Sequence, residues 1–232
     1  MVQKEEARRL GRPRTYDPEV ALQRAMDAFW DGGFSGTSLD DLSDRTGMNR
    51  PSLYAAFGDK QALYLKTLDE YVAGRRAMIA TALSGDRPLR DALRQAYRRM
   101  IDRFSTGESG ARGCYLIGTA VTEAVQNPKV RETLAKSLGE VDEALRNAFV
   151  AAQARGEVDR KADPQALAVI ASAVVYTLAL RARSGQPREV LQALADAAVA
   201  LIFGPRAVKR GARHRSSARA RSTRGDNHHE SR

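Results

Sequence analysis

The chain has 232 residues, 43% of them hydrophobic and 6% aromatic, with one cysteine and a formal net charge of +10. This composition fits an all-α protein with a Leu- and Ala-packed core, and one cysteine excludes an internal disulfide or a cysteine-rich zinc site. Residues 1–14 are charged and the longest apolar run, Leu167 to Leu180, falls short of the ~20 residues that cross a bilayer, so a cytoplasmic protein without a membrane partner is expected.

Residues 1–16 read as a flexible arm. Its GRPR run, Gly11 to Arg14, is too rich in Gly and Pro for a helix. Arg12 and Arg14 can follow a minor groove as homeodomain arms do, or the arm is simply a soluble leader. Asp17 and Pro18 then suit the N-cap and first position of a helix whose Leu22, Ala25, Met26 and Phe29 share one face, ending at Gly32 and Gly33.

From Thr37 to Lys60 the chain reads as two short helices and the start of a third. Thr37 or Ser38 can cap the first, with Asp40 or Asp41 reaching back to close a capping box. Gly47 breaks it and Asn49 can cap the next, where Pro51 costs little because first-turn amides have no intrahelical partner. Leu53 and Phe57, at i and i+4, pin this second helix inward. That leaves Arg50 to fork onto guanine or grip phosphate, Ser52 and Tyr54 to offer hydroxyls, and Ala55 and Ala56 to rest on thymine methyls. Asp59 suits a cap for the following helix, with Lys60 and that helix's amides turned to a phosphate.

The run TGMNRPSLYAAFGDKQALY resembles the DNA-binding signature of the TetR family of bacterial transcriptional regulators, and YDPEVALQRAMDAFWDGGFSGTSLDDL is similar to that family's first helix and its lead into the helix-turn-helix. The resemblance implies that Asn49 to Phe57 is the recognition helix. It further implies phosphate contacts at Tyr54 and Lys60, and at Thr37 from the helix before. Ala55 and Ala56 depart from the histidine or polar residues frequent there, and Pro51 from the common Gly, which leaves the operator sequence unread.

The body continues as Asp59 to Leu83, with Leu63, Leu68 and Val72 inward, then Pro88 to Phe104, Ala111 to Gln126, Pro128 to Arg155, Asp163 to Arg183 and Pro187 to Phe203. The helix from Ala166 to Ala182 is apolar nearly all round. Val190, Leu191, Leu194, Ala198, Leu201 and Ile202 form a stripe on the last helix. Two such helices per subunit can close a four-helix dimer interface or form a buried hairpin in a monomer, and the resemblance favours a homodimer on a palindromic operator.

Tyr97, Met100, Phe104, Tyr115, Ile117, Thr119, Phe149 and Tyr176 mix aromatic rings with hydroxyls, a composition shared by small-molecule pockets and ordinary cores. The resemblance implies an effector cavity among them. Cys114, following Arg112 and Gly113 near a predicted helix start, is either a redox or electrophile sensor or a small buried hydrophobe. The three histidines all lie in the tail, and no acid, base and nucleophile converge, so neither an enzyme nor a cofactor is implied.

Charge is concentrated at the C-terminus. Residues 1–60 carry nine Lys and Arg against ten acids, whereas residues 205–232 carry nine against two. The tail therefore reads as disordered, either touching nucleic acid nonspecifically or solubilising the chain. The expected organisation is an arm (1–16), a helix-turn-helix domain (17–62), a ligand-binding and dimerisation domain (63–204) and a basic tail (205–232). The expected function is a repressor of double-stranded operator DNA released by a small effector; an architectural binder driven by the tail and a thiol-based sensor are the alternatives.

Overall fold

The computed structural model describes residues 16–107 and 110–204; the arm with Arg12 and Arg14, and the basic tail, lie outside the described residues. Among the described residues the chain is helical and has no strand.

Helix α1 (Pro18–Gly36) is capped by the Asp17 carboxylate, which accepts the Glu19 and Val20 amides. Its helical path breaks at Gly33 (φ 73°), where the sequence placed its end, and a last turn runs on to Gly36. Helices α2 (Leu39–Thr46) and α3 (Arg50–Phe57) follow, and α4 (Lys60–Leu83) carries the chain out of this head into the body. Leu63, Leu68 and Val72 are buried along α4 as their spacing predicts.

The body comprises α5 (Leu89–Phe104), a π-helical turn (Leu116–Ala120) running into the short α6 (Val121–Glu123), then α7 (Pro128–Ala154), α8 (Pro164–Arg183) and α9 (Arg188–Phe203). The continuous helix expected from Ala111 to Gln126 does not form. Gly113 adopts φ 68°, and a Cβ there would sit 2.7 Å from the Ala179 carbonyl oxygen, so the backbone needs glycine both for its turn and for its approach to α8. The helix starts only after this contact is made.

Helix α8 packs against α5, α7 and α9. By length and composition it is apolar enough to cross a bilayer, with 20 residues and a mean hydropathy of 1.6 over an 18-residue stretch, contrary to the expectation from the apolar run alone. Ala168, Ala171, Ser172, Val175, Leu178, Ala179 and Ala182 point into the core. Its other side leaves Val169, Ile170 and Leu180 exposed, beside exposed Val190 and Leu201 of α9. The stripe predicted on α9 is in fact two: Leu191, Ala195 and Val199 face inward, while Val190 and Leu201, at 85% exposure, face out.

Candidate nucleic-acid interface and effector cavity

The head is built from local capping chemistry. Ser38, not Thr37, caps α2: its hydroxyl accepts the Asp41 amide at 3.1 Å while Asp41 accepts the Ser38 amide at 2.7 Å, closing the capping box. These bonds to Ser38 hold the exposed Asp41 carboxyl below its usual range. Gly47 ends α2 in the left-handed region (φ 71°), and the Asn49 side chain accepts the Ser52 amide at 2.9 Å to start α3. Leu53 and Phe57 are buried behind α3, whereas Asn49, Arg50, Tyr54 and Ala55 are exposed, Tyr54 at 47%. The polar edge of α3 thus faces solvent.

Arg50 is engaged within the head. Its Nε and Nη2 donate to the Asp40 carboxylate at 3.0 and 2.6 Å, and this pairing raises the guanidinium pKa. At α4, Asp59 accepts the Ala62 amide at 2.7 Å, and the Lys60 ammonium lies 4.5 Å from the centre of the Phe34 ring.

Head and body are joined by a buried aromatic and hydroxyl cluster. Tyr64 on α4 packs on Phe29 and Phe34 of α1 and donates its hydroxyl to Thr119 of the π turn at 2.8 Å. Thr119 in turn donates to the Tyr115 carbonyl. The Thr67 hydroxyl donates to the Tyr64 carbonyl at 2.6 Å, so its single proton is used and the Tyr115 hydroxyl, 2.8 Å away, is the donor between them. Burial pushes the Tyr64 phenol up to about 12, against the hydrogen bond to Thr119; burial raises Tyr71, Tyr97 and Tyr115 as well. Outside this cluster Asp31 of α1 holds two arginines, Arg45 of α2 at 2.6 Å and Arg112 of the body loop at 3.0 Å, and Arg112 also reaches Asp27 at 2.7 Å.

Below the junction, α4, α5, α7 and α8 enclose a narrow cavity of about 30 Å³. Of the candidate residues Tyr97 and Met100 line it, with Ile79, Leu93, Val141 and Val175, and so does the guanidinium-bearing Arg75. Other candidate lining residues lie elsewhere. Tyr115 and Thr119 belong to the junction, Phe104 is core, and Phe149 stacks on Phe203 at 5.9 Å. Ile117, on the π turn, is partly buried against the core. Tyr176 takes part indirectly, accepting a hydrogen bond from Arg75 at 3.0 Å. Sequence reasoning missed Arg75: three residues from Val72 and four from Ile79, it carried the one signal of a cation set within an apolar helix face.

Cys114 is 4% exposed, with its sulfur 3.4 Å from the Tyr71 hydroxyl. A helix does begin directly after it, at Tyr115, with the Cys114 carbonyl accepting the Gly118 amide at 2.8 Å, but Arg112 is turned away to Asp27 and Asp31.

Residues 21–67 match the model for bacterial regulatory proteins of the tetR family, and residues 90–198 the tetracyclin repressor-like C-terminal domain. The chain is 29% identical over 192 residues to the HTH-type transcriptional repressor ComR of Escherichia coli K12, covering 82% of this chain and 91% of that one. Over 99 residues it is 32% identical to the HTH-type transcriptional activator FasR of Mycolicibacterium smegmatis, covering 41% and 45% of the two chains. A cysteine-substituted TetR family transcriptional regulator, CifR, solved in complex with 26bp double-strand operator DNA, is 33% identical, with a TM-score of 0.70 over 81% of this chain and 98% of that one. The chain belongs to the TetR family. It is a DNA-binding transcriptional regulator with an N-terminal helix-turn-helix and a helical C-terminal domain.

One role implied by TetR membership needs correction in this chain. Thr37 is 2% exposed, and its hydroxyl donates to the Gly33 carbonyl at 2.6 Å, with the Ala28 carbonyl at 3.3 Å. A hydroxyl turned inward and satisfied there is not presented to a phosphate. The capping box forces this choice, because Ser38 occupies the cap and Thr37 becomes the buried residue before it.

Proposed function

We propose that this TetR regulator is a homodimeric, cytoplasmic repressor that occupies a palindromic operator and leaves it when a small effector enters the body. The observation that carries the reading is the outward edge of α3, where exposed Tyr54, Asn49 and Arg50 stand opposite buried Leu53 and Phe57. Base and phosphate contacts fall to Arg50, Ser52, Tyr54, Asn49 and Lys60, with Arg12 and Arg14 of the arm reaching an adjacent groove. CifR's complex with operator DNA supports DNA as the partner, and the name of ComR supports repression.

Dimerisation follows from the apolar sides of α8 and α9. Val169, Ile170, Leu180, Val190 and Leu201 are exposed together, which water disfavours and a second copy would cover. The working division is a head of residues 17–62 and a body of residues 63–204. Release is a population shift: an effector weakens DNA binding only as far as it prefers the conformation that misplaces the two α3 helices. Helix α4 reaches both the cavity and the head, where Tyr64 packs on Phe29 and Phe34 of α1, and Asp31 ties α1 to α2 through Arg45 and to the body loop through Arg112.

A footprint on DNA upstream of this protein's own gene, paired with transcription from that promoter in vitro, tests the reading. A protected inverted repeat with transcription lowered by the protein is expected. Transcription raised by the protein would replace repression with activation, as the name of FasR describes for that relative.

A further inference from the structure

Arg75 is 7% exposed, in a region where an arginine without an acid is expensive. Its Nη1 donates to Ser137 Oγ at 3.3 Å and its Nη2 to the Tyr176 hydroxyl at 3.0 Å, with the guanidinium carbon 5.6 Å from the Tyr176 ring centre. Both hydrogen-bond partners are neutral. Among the described residues no carboxylate forms an ion pair with Arg75; Asp142, the acid that bears on Tyr176, does so without reaching the guanidinium. The guanidinium has five N–H donors, so two neutral acceptors leave capacity for a bidentate anion.

Arg75 also stands between two cavities. The apolar one, of about 30 Å³, lies on one side, and a second of about 100 Å³ lies on the other. The second is bounded by Arg76 and Glu140, which close on each other at 2.7 Å where α4 meets α7. No Asp or Glu lines the apolar cavity, whose other cation is the exposed Arg99 at its rim. Its remaining walls are hydrocarbon and thioether, with the one phenol, Tyr97, already donating to the Ala171 carbonyl at 2.9 Å.

We infer that the effector is an amphipathic carboxylate, with its head on Arg75 and its hydrocarbon body in the apolar cavity. This rests on the effector-released reading above and adds its chemical class. A cavity of this size holds only a water or two, so the bound form has to widen it. Unbranched Met78 and Met100 on its walls can repack, and a carboxylate drawing the guanidinium off Ser137 and Tyr176 joins the two cavities. That movement loosens α4 from α7 and α8, which is the differential contact a release mechanism needs. One carboxylate matches one buried cation; a phosphate dianion would carry a second charge into hydrocarbon.

Calorimetric titration of the full chain with octanoate and with octanamide, alike in length and differing in charge, tests the inference. Wild type is expected to bind octanoate at least about tenfold more tightly than octanamide, since hydrogen bonds to a charged group are worth more than neutral ones. Arg75→Met should lose that preference and Arg75→Lys keep part of it. Equal affinity for the two probes, failure of both to bind up to millimolar, tighter binding of octyl phosphate, or an intact preference in Arg75→Met would each overturn it. If Arg75→Met does not fold, the wild-type comparison decides alone. Operator binding by ligand-free wild type is measured in parallel: its absence would sink the regulator reading while leaving a measured carboxylate preference standing.

Discussion

Arg50 of the recognition helix and Asp40 of the helix before it form a two-pronged ion pair, with Nη2 at 2.6 Å from both carboxylate oxygens and Nε at 3.0 Å from one. The arginine proposed to contact DNA is therefore held by an acid of its own helix-turn-helix, and DNA would have to compete with Asp40 for it. Both side chains are exposed, so solvent weakens the pair and a phosphate or guanine edge can replace Asp40 at little cost.

Asp40→Ala is expected to tighten operator binding several-fold at low salt, by freeing Arg50 and by removing an exposed negative charge beside the proposed DNA-contacting edge. Arg50→Ala should weaken binding by about tenfold or more, in line with about 1–3 kcal/mol for a bidentate base contact. The gain from Asp40→Ala should shrink in the Arg50→Ala background. Gel-shift titrations of the four proteins measure the coupling, and additive effects would show that the latch is not what restrains Arg50.

The junction predicts alkaline sensitivity. Tyr64 titrates at about 12 when folded against 10.0 ordinarily, a raised value, so its contribution to stability is complete below pH 10 and is lost as pH rises toward 12. The other buried tyrosines act in the same direction. Tyr64→Phe should cost about 1 kcal/mol near neutral pH for the lost hydrogen bond, yet flatten the alkaline fall by up to about 1.4 kcal/mol per pH unit. Urea unfolding of both proteins between pH 8 and pH 11 measures the two effects; parallel curves would place Tyr64 outside the alkaline transition.

Gly113→Ala should destabilise the protein by about 1–3 kcal/mol, since it imposes a positive φ on a residue with a Cβ and drives that Cβ to 2.7 Å from the Ala179 oxygen. Thermal melting checks this. Gly139→Ala, at a helical position with open space around it, should be neutral or stabilising and serves as control.

Leu201→Glu should leave the subunit fold intact and dissociate the dimer, because an 85% exposed side chain has little to lose within one subunit. Sedimentation velocity reads the result. A dimer unchanged by both Leu201→Glu and Ile170→Glu would move the interface away from α8 and α9.

Cys114, buried against Tyr71, should react with an aromatic disulfide reagent only as fast as the chain opens locally or globally. Stopped-flow labelling that is complete at a denatured-thiol rate would revive direct thiol sensing.

The head was readable from sequence because its signals are local. Asp17, Ser38, Asn49 and Asp59 each cap a helix within three residues of themselves, and Gly47 turns the chain where its φ permits. Even there, adjacent Thr37 and Ser38 offered equivalent hydroxyls, and only the closed Asp41 box distinguished them. The errors lie where distant segments decide. Nothing near Gly113 announces the Ala179 carbonyl that displaces the helix start, and nothing in the α9 stripe separates inward Leu191 from outward Leu201. Tyr115 and Thr119 looked like pocket residues because a junction and a pocket use the same side chains. Arg75 becomes conspicuous only once α5, α7 and α8 surround it.

Selection of duplexes from a random pool, run with wild type and with the Arg50→Ala/Tyr54→Ala double variant, tests most directly whether the exposed edge of α3 reads DNA. Wild type is predicted to enrich one inverted repeat, with half-sites about one helical turn apart, and the double variant to enrich none. Enrichment of the same repeat by both proteins, or of no repeat by wild type, would contradict the assignment of α3 as the reader.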